Sequence, residues 1–158
     1  AALSANRILD FDEYVEDWDN YDEGFRVIHY DESTLAFSPA AILNGFADFH
    51  FGAFNAVWHT GFVGRQYLDN SANESRSLPA YTSSDINFGY TFRFSKALKE
   101  LRLGLTLNNV FNSRFATNGW VYSAICESSG HPNDNRYYQI GFIPSAGFTA
   151  LGNVTLKF

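Results

Sequence analysis

The most regular pattern in the chain is its last. Between Phe148 and Phe158, one parity carries Phe148, Ala150, Gly152, Val154, Leu156 and Phe158; the other carries Thr149, Leu151, Asn153, Thr155 and Lys157. Side chains alternate between the two faces of a strand, so this spacing predicts a strand with one apolar and one largely polar face. Its length, about eleven residues, is that of a tilted transmembrane strand. Taken alone, the pattern fits the closing strand of a soluble sandwich as well.

The pattern recurs upstream. Ala1–Asp17 opens with Leu3, Ala5, Leu9 and Phe11 alternating against Ser4, Asn6, Asp10 and Asp12, but Arg7 and Ile8 fall on the wrong faces. It then dissolves into the acidic stretch Glu13–Glu23. Phe25–Pro39 fits the outer part of a long hairpin, and Ala40–Phe51 returns with Leu43, Ala47, Phe49 and Phe51 opposite Asn44, Asp48 and His50. Phe54–Gln66 sets Phe54, Ala56, Trp58 and Phe62 against Asn55, His59 and Arg65. Ser83–Ser95 is cleaner still, with Ile86, Phe88, Tyr90, Phe92 and Phe94 on one face and Asp85, Asn87, Thr91 and Arg93 on the other. Leu101–Asn112 follows with Leu101, Leu103, Leu105, Leu107 and Phe111 opposite Arg102, Thr106, Asn108 and Asn112. A row of aromatics along one face is more apolar surface than a soluble sheet leaves in water.

The connections alternate in length. Gly52-Ala53 and Lys96–Glu100 are short, whereas Asp17–Pro39, Tyr67–Tyr81 and Ser113–Ala146 are long. Short turns on one side and long loops on the other are the signature of an outer-membrane β-barrel. The expectation is therefore an all-β fold of antiparallel transmembrane strands, about six of them, too few to close a barrel. Open edges in lipid leave backbone groups unsatisfied. Either two more strands lie in the long loops and complete a small barrel, or these are the last strands of a larger one.

Composition changes this picture in a few places. The chain has 158 residues, of which 46% are hydrophobic and 18% aromatic, more aromatic surface than a core of this size needs. Mean hydropathy is −0.20, a value that does not count against a barrel, in which only alternate residues meet lipid. A net charge of −6 and an isoelectric point near 5.0 speak against a nucleic-acid partner. Methionine is absent, and the expectation is a piece of a longer polypeptide. The single cysteine, Cys126, reads as an inert loop thiol. Asp17, Asp19 and Asp22 lack the EF-hand spacing and read as a solvated acidic loop. His59, alone on a polar face, reads as hydrated. No G-x-S-x-G, paired carboxylates or Ser/His/Asp arrangement points to an enzyme, and no cofactor or metal site is expected.

Several separated motifs, in order along the chain, carry a family resemblance. L-T-L-N-N-V-F-N-S-R-F-A-T-N-G-W (Leu105–Trp120) resembles the penultimate strand and loop of TonB-dependent receptors, and I-P-S-A-G-F-T-A-L-G-N-V-T-L-K-F resembles their terminal strand. G-R-Q-Y-L-D-N (Gly64–Asn70), S-R-S-L (Ser75–Leu78), Y-T-F (Tyr90–Phe92), F-D-E-Y-V-E-D-W-D (Phe11–Asp19) and A-F-S-P (Ala36–Pro39) are similar to the Bacteroidota branch, which includes the SusC/RagA-like transporters. Phe115 departs from the tyrosine common there, and Phe148 from a polar or basic residue.

The resemblance implies that residues 1–158 are the C-terminal part of a plugged barrel of about 22 strands, with the plug domain and earlier strands outside this chain. It implies active import of a nutrient (an oligosaccharide, a peptide or a chelated metal) across the bacterial outer membrane, with the C-terminus periplasmic and the long loops extracellular. The implied partners are the rest of the receptor, the lipid bilayer and lipopolysaccharide, TonB through the plug, the barrel-assembly machinery and, in some relatives, a SusD-like lipoprotein. A small outer-membrane barrel with a structural or adhesion role is the alternative. Phe88, Tyr90, Phe92, Phe94, Leu101, Leu103, Leu105 and Leu107 are expected to face lipid. Gly152, Val154, Leu156 and Phe158 are expected to form the assembly signal, against the plainer reading of Phe158 as an interfacial anchor. Trp120, Tyr122, Tyr137 and Tyr138 are candidate loop contacts to substrate; an outer aromatic belt or loop-on-loop packing is the alternative for them.

Overall fold

The computed structural model describes residues 1–20, 22–95, 97–128, 130 and 135–158. It is all-β, with no α-helix among the described residues and a single 3-10 turn at Glu74–Arg76. The strands in chain order are β1 (Ala2–Leu3), β2 (Ile8–Asp17), β3 (Phe25–Ser33), β4 (Ala41–Phe51), β5 (Phe54–Val63), β6 (Gln66–Tyr67), β7 (Ser77–Leu78), β8 (Tyr81–Arg93), β9 (Glu100–Asn108), β10 (Ala116–Ile125), β11 (Arg136–Pro144) and β12 (Thr149–Lys157).

Six of them form one antiparallel sheet in the order β1-β4-β5-β8-β9-β12. Directly paired residues lie on the same face, so the register shows whether the one-strand parities agree across the sheet. They do. Ala47 pairs with Trp58, Trp58 with Ile86 and Ile86 with Leu107. Phe54 pairs with Tyr90, Tyr90 with Leu103 and Leu103 with Val154. The result is an apolar face over the half of the sheet nearest the short turns, on which Phe54 and Phe88 stack at 6.2 Å and Tyr90 and Phe92 meet at 4.6 Å; toward the far end the same face carries Thr60, Thr82 and Ser84. The opposite face carries Asn44, Asp48, Asn87, Arg102, Thr106 and Asn153 in register. On it the Asn55 and Asn153 side chains lie over Gly89 and Gly104, where an added Cβ would stand 2.3 and 2.5 Å from them.

The register also orients the ends. Phe51 pairs with Phe54 and Lys157 with Glu100, so both short turns and the C-terminus share one end. β1 pairs with Ala41 and Ile42 at the other. Beyond that far end lies a second sheet, in the order β11-β10-β2-β3. Its hairpins β2–β3 and β10–β11 are antiparallel, joined by a short parallel pairing of Ala124 with Glu16 and Ile125 with Asp17.

Two expectations change. Ser113–Ala146 is not a plain connection: it holds the β10–β11 hairpin, in which apolar residues fall on both faces (Trp120 and Tyr122 against Val121 and Ile125), so no single parity announced it. The first strand breaks between Leu3 and Ile8, where Arg7 and Ile8 spoil the alternation, and its second half joins the other sheet. β1 and β12 end the large sheet, so the described residues form no closed barrel. The buried core lies at the far end and is small: Val15, Leu68, Leu78, Ala124, Ile125 and Cys126.

Candidate functional site

The far-end module is where side chains converge. The loop from Gln66 to Leu78 folds into the β6–β7 pair around Arg76, which is 1% exposed. Its guanidinium donates to Asp69 Oδ2 and to Ser71 Oγ, both at 2.6 Å, and lies 5.5 Å from the Tyr138 ring centre. A buried charge needs such a cage, because an unpaired one costs several kcal/mol. Ser71 N and Oγ both donate to Asp69 Oδ1, completing it. Arg136, also buried, donates to Glu13 at 2.9 and 2.7 Å and to the Tyr30 hydroxyl at 3.2 Å, while Tyr30 donates to Glu13 at 2.9 Å. Burial, and then the Glu13 carboxylate holding its proton, push the Tyr30 phenol above its ordinary value. These two arginines tie the loop and both hairpins together.

Of the four candidate aromatics, three share a face. Trp120 pairs with Gly141, Tyr122 with Gln139 and Ala124 with Tyr137, which puts Trp120, Tyr122 and Tyr137 on one side of the β10–β11 hairpin. The Trp120 indole lies across Gly141, where an added Cβ would stand 2.2 Å from Nε1, so only glycine leaves room for the ring. Tyr138 pairs with Ser123 and points to the other face, where it covers Arg76. It is packed loop on loop.

The sequence reading missed Trp18 and Glu16 as members of this face. Trp18 lies 5.3 Å from Tyr137 and 6.3 Å from Tyr122, ring centre to ring centre. Glu16 Oε2 accepts hydrogen bonds from the Tyr122 hydroxyl and from Trp18 Nε1. Its carboxylate holds the Tyr122 proton and raises that phenol above the ordinary tyrosine value, with desolvation adding to it. Trp18 sits in a stretch dominated by Asp and Glu, and nothing in that stretch signalled a ring cluster. Together Trp18, Tyr122, Tyr137 and Trp120 present broad ring surface beside an acidic edge.

The other singled-out residues fall elsewhere. Asp17 pairs with Arg26 at 2.7 Å and accepts from Asp19 N, and Asp19 accepts from Glu127 N, so both carboxylates have protein partners. No group of His, Cys, Asp and Glu among the described residues has the geometry to hold a metal ion. His59 Nδ1 lies 3.8 Å from Asp85 Oδ2. Cys126 is buried, with Sγ 3.4 Å from Ser128 Oγ. Phe88, Tyr90, Phe92, Leu101, Leu103, Leu105 and Leu107 share the apolar face of the large sheet. Phe94 lies just past β8, its N–H donating to Lys99 O at 2.9 Å. Gly152, Val154 and Leu156 lie on the apolar parity of the edge strand β12, and Phe158 follows it, largely exposed.

Comparison with protein-family models, with curated proteins and with solved structures found no match to this chain.

Proposed function

We propose that this chain is the C-terminal wall, with its external loops, of a TonB-dependent outer-membrane importer in which about 22 strands surround a plug. The observation that carries the reading is the two-ended, two-faced large sheet. Three apolar rows, from Ala47, Phe49 and Phe51 on β4 to Ala150, Gly152 and Val154 on β12, cross it, its short turns share one end, and the loops at the other end are elaborated. That is the arrangement a barrel wall needs: apolar rows toward hydrocarbon, Asn, Thr and Arg toward a wet interior, turns in the periplasm and loops outside the cell. The open edges at β1 and β12 then pair with strands contributed by the rest of the receptor. TonB acts on the plug, outside this chain.

In this reading the substrate, a nutrient such as an oligosaccharide, a peptide or a chelated metal, meets the loop module first. Trp18, Trp120, Tyr122 and Tyr137 offer rings for stacking at small entropic cost. Intact mass of the native polypeptide from outer membranes, with peptide mapping upstream of Ala1, tests the proposal. A mass several-fold above 17.8 kDa, together with plug peptides, is the expected result. A mass near 17.8 kDa would overturn the import reading and leave a small barrel.

A further inference from the structure

A cleft of about 580 Å3 opens where the large sheet gives way to the loop module, between the start of β8, the link from β9 to β10 and the end of β11. The volume lies within the range of small-molecule sites, roughly 300–1,000 Å3. Its walls are mainly apolar: Phe142, Pro144 and the rings of Tyr81 and Phe115, which stack at 4.3 Å with only 6° between their planes. Arg114, exposed, is among the lining residues.

Two features make this more than a surface hollow. The first is a fixed wall. Ser113 is held on both sides by Asn109, whose Oδ1 accepts from Ser113 N and whose Nδ2 donates to Ser113 O, each at 2.9 Å. Phe115 O accepts from Ser145 N at 2.9 Å, binding the link to the end of β11. Arg114 is thus carried between two anchored neighbours. The second is charge. Arg7, Arg26, Arg65, Arg76, Arg102 and Arg136 all stand in ion pairs. Arg93 and Arg114, both exposed, make none among the described residues, although the chain carries a net charge of −6, and of the two Arg114 lines this cleft. A free guanidinium beside flat apolar walls is complementary to a planar carboxylate presented on an apolar body.

We infer that this cleft binds a small organic monoanion with a flat apolar body, its carboxylate on Arg114 and its body against Phe115, Phe142 and Pro144. Every wall belongs to this chain, so the inference stands apart from the import reading. The test uses the natural full-length polypeptide in a non-ionic detergent and equilibrium dialysis with 2-naphthoate and its neutral isostere 2-naphthamide. Saturable binding of 2-naphthoate is expected, with about a tenfold preference over the amide, the size of a charge-assisted hydrogen bond. Arg114→Gln, at an exposed position, removes the preference, and Ala116→Trp, which fills the cleft, abolishes binding of both. Absence of saturable binding, an unchanged preference in Arg114→Gln, or full binding in an Ala116→Trp protein with native circular dichroism would each overturn the assignment.

Discussion

The side-chain amide of Asn109 donates to the Ala146 carbonyl oxygen at 3.1 Å, joining the end of β9 to the approach to β12. Asn109 is buried, has a φ of +48°, clasps Ser113 as described above, and donates its own N–H to Asp85 Oδ1 at 2.8 Å. Three residues on, Asn112 has a φ of +50° and accepts from Phe148 N at 3.0 Å. Left-handed backbone and a short amide that bonds locally are the two properties asparagine combines. The N-N-V-F-N run is therefore a clasp that ends β9 and starts β12 in register.

Asn109→Ala removes three side-chain hydrogen bonds and places alanine in the left-handed region. At about 1 kcal/mol for each bond and 1–2 for the backbone, we expect a loss of about 4–5 kcal/mol. Asn112→Gly keeps the backbone permissive and loses one bond, about 1 kcal/mol. Urea midpoints of the two variants check the order; equal losses would show that the clasp does not act through Asn109.

Arg136 and Glu13 couple the two hairpins. Arg136→Met strands a largely buried carboxylate and is expected to lower the opening free energy of the loop module by about 3–5 kcal/mol, while Arg136→Met with Glu13→Leu loses much less. Hydrogen exchange of the β2 and β10 amides reports this opening. If the double variant opens as readily as the single, the pair is not what joins the hairpins.

His29 lies on β3 in the loop module, with Nδ1 2.8 Å from Asp12 and Nε2 3.4 Å from Asp31 and 3.7 Å from Asp10. The hydrogen bond to Asp12 raises its pKa above the ordinary 6.5; desolvation opposes this, and the charges of Asp12, Asp10 and Asp31 add to it. A raised folded-state value means the stabilisation is fully present below pH 6.5 and is lost as pH rises through the folded value. The stability difference between wild type and His29→Gln should therefore shrink from pH 5.5 to pH 9, a span of about 3.5 units around that ordinary value. A difference that does not change with pH would remove the titration from the account.

Phe158 follows β12 and packs little. Deleting it is expected to lower the yield of assembled protein more than the stability of what assembles, as a recognition signal requires. Equal losses in both would make it an interfacial anchor.

The large sheet was legible because a strand with one buried and one wet face writes its parity into the sequence: Ile86 to Phe92 and Leu101 to Leu107 needed only counting. The break at Arg7 and Ile8 showed in the sequence only as a fault in the alternation of one expected strand, and its meaning, a change of sheet, was not legible there. The β10–β11 hairpin was not legible either, because Val121 and Ile125 face inward while Trp120 and Tyr122 cover a glycine and a carboxylate on the outer side. Period alone cannot find such a strand. Nor does spacing reveal that Trp18 meets Tyr137, or that Arg136 reaches Glu13 across 123 positions; these contacts exist only once two hairpins lie side by side. Tyr138 was grouped with Tyr122 by residue type, and strand alternation separates them.

The most direct test of the central claim, that the apolar face of the large sheet meets lipid, is a pair of neighbouring lysine substitutions. Leu105 and Thr106 are adjacent on β9 and face opposite ways. Lysine on a lipid-facing position near mid-bilayer costs about 2–4 kcal/mol, so Leu105→Lys should fail to give a heat-stable, SDS-resistant barrel band where Thr106→Lys gives one. A Leu105→Lys protein with wild-type mobility and heat stability would contradict the account.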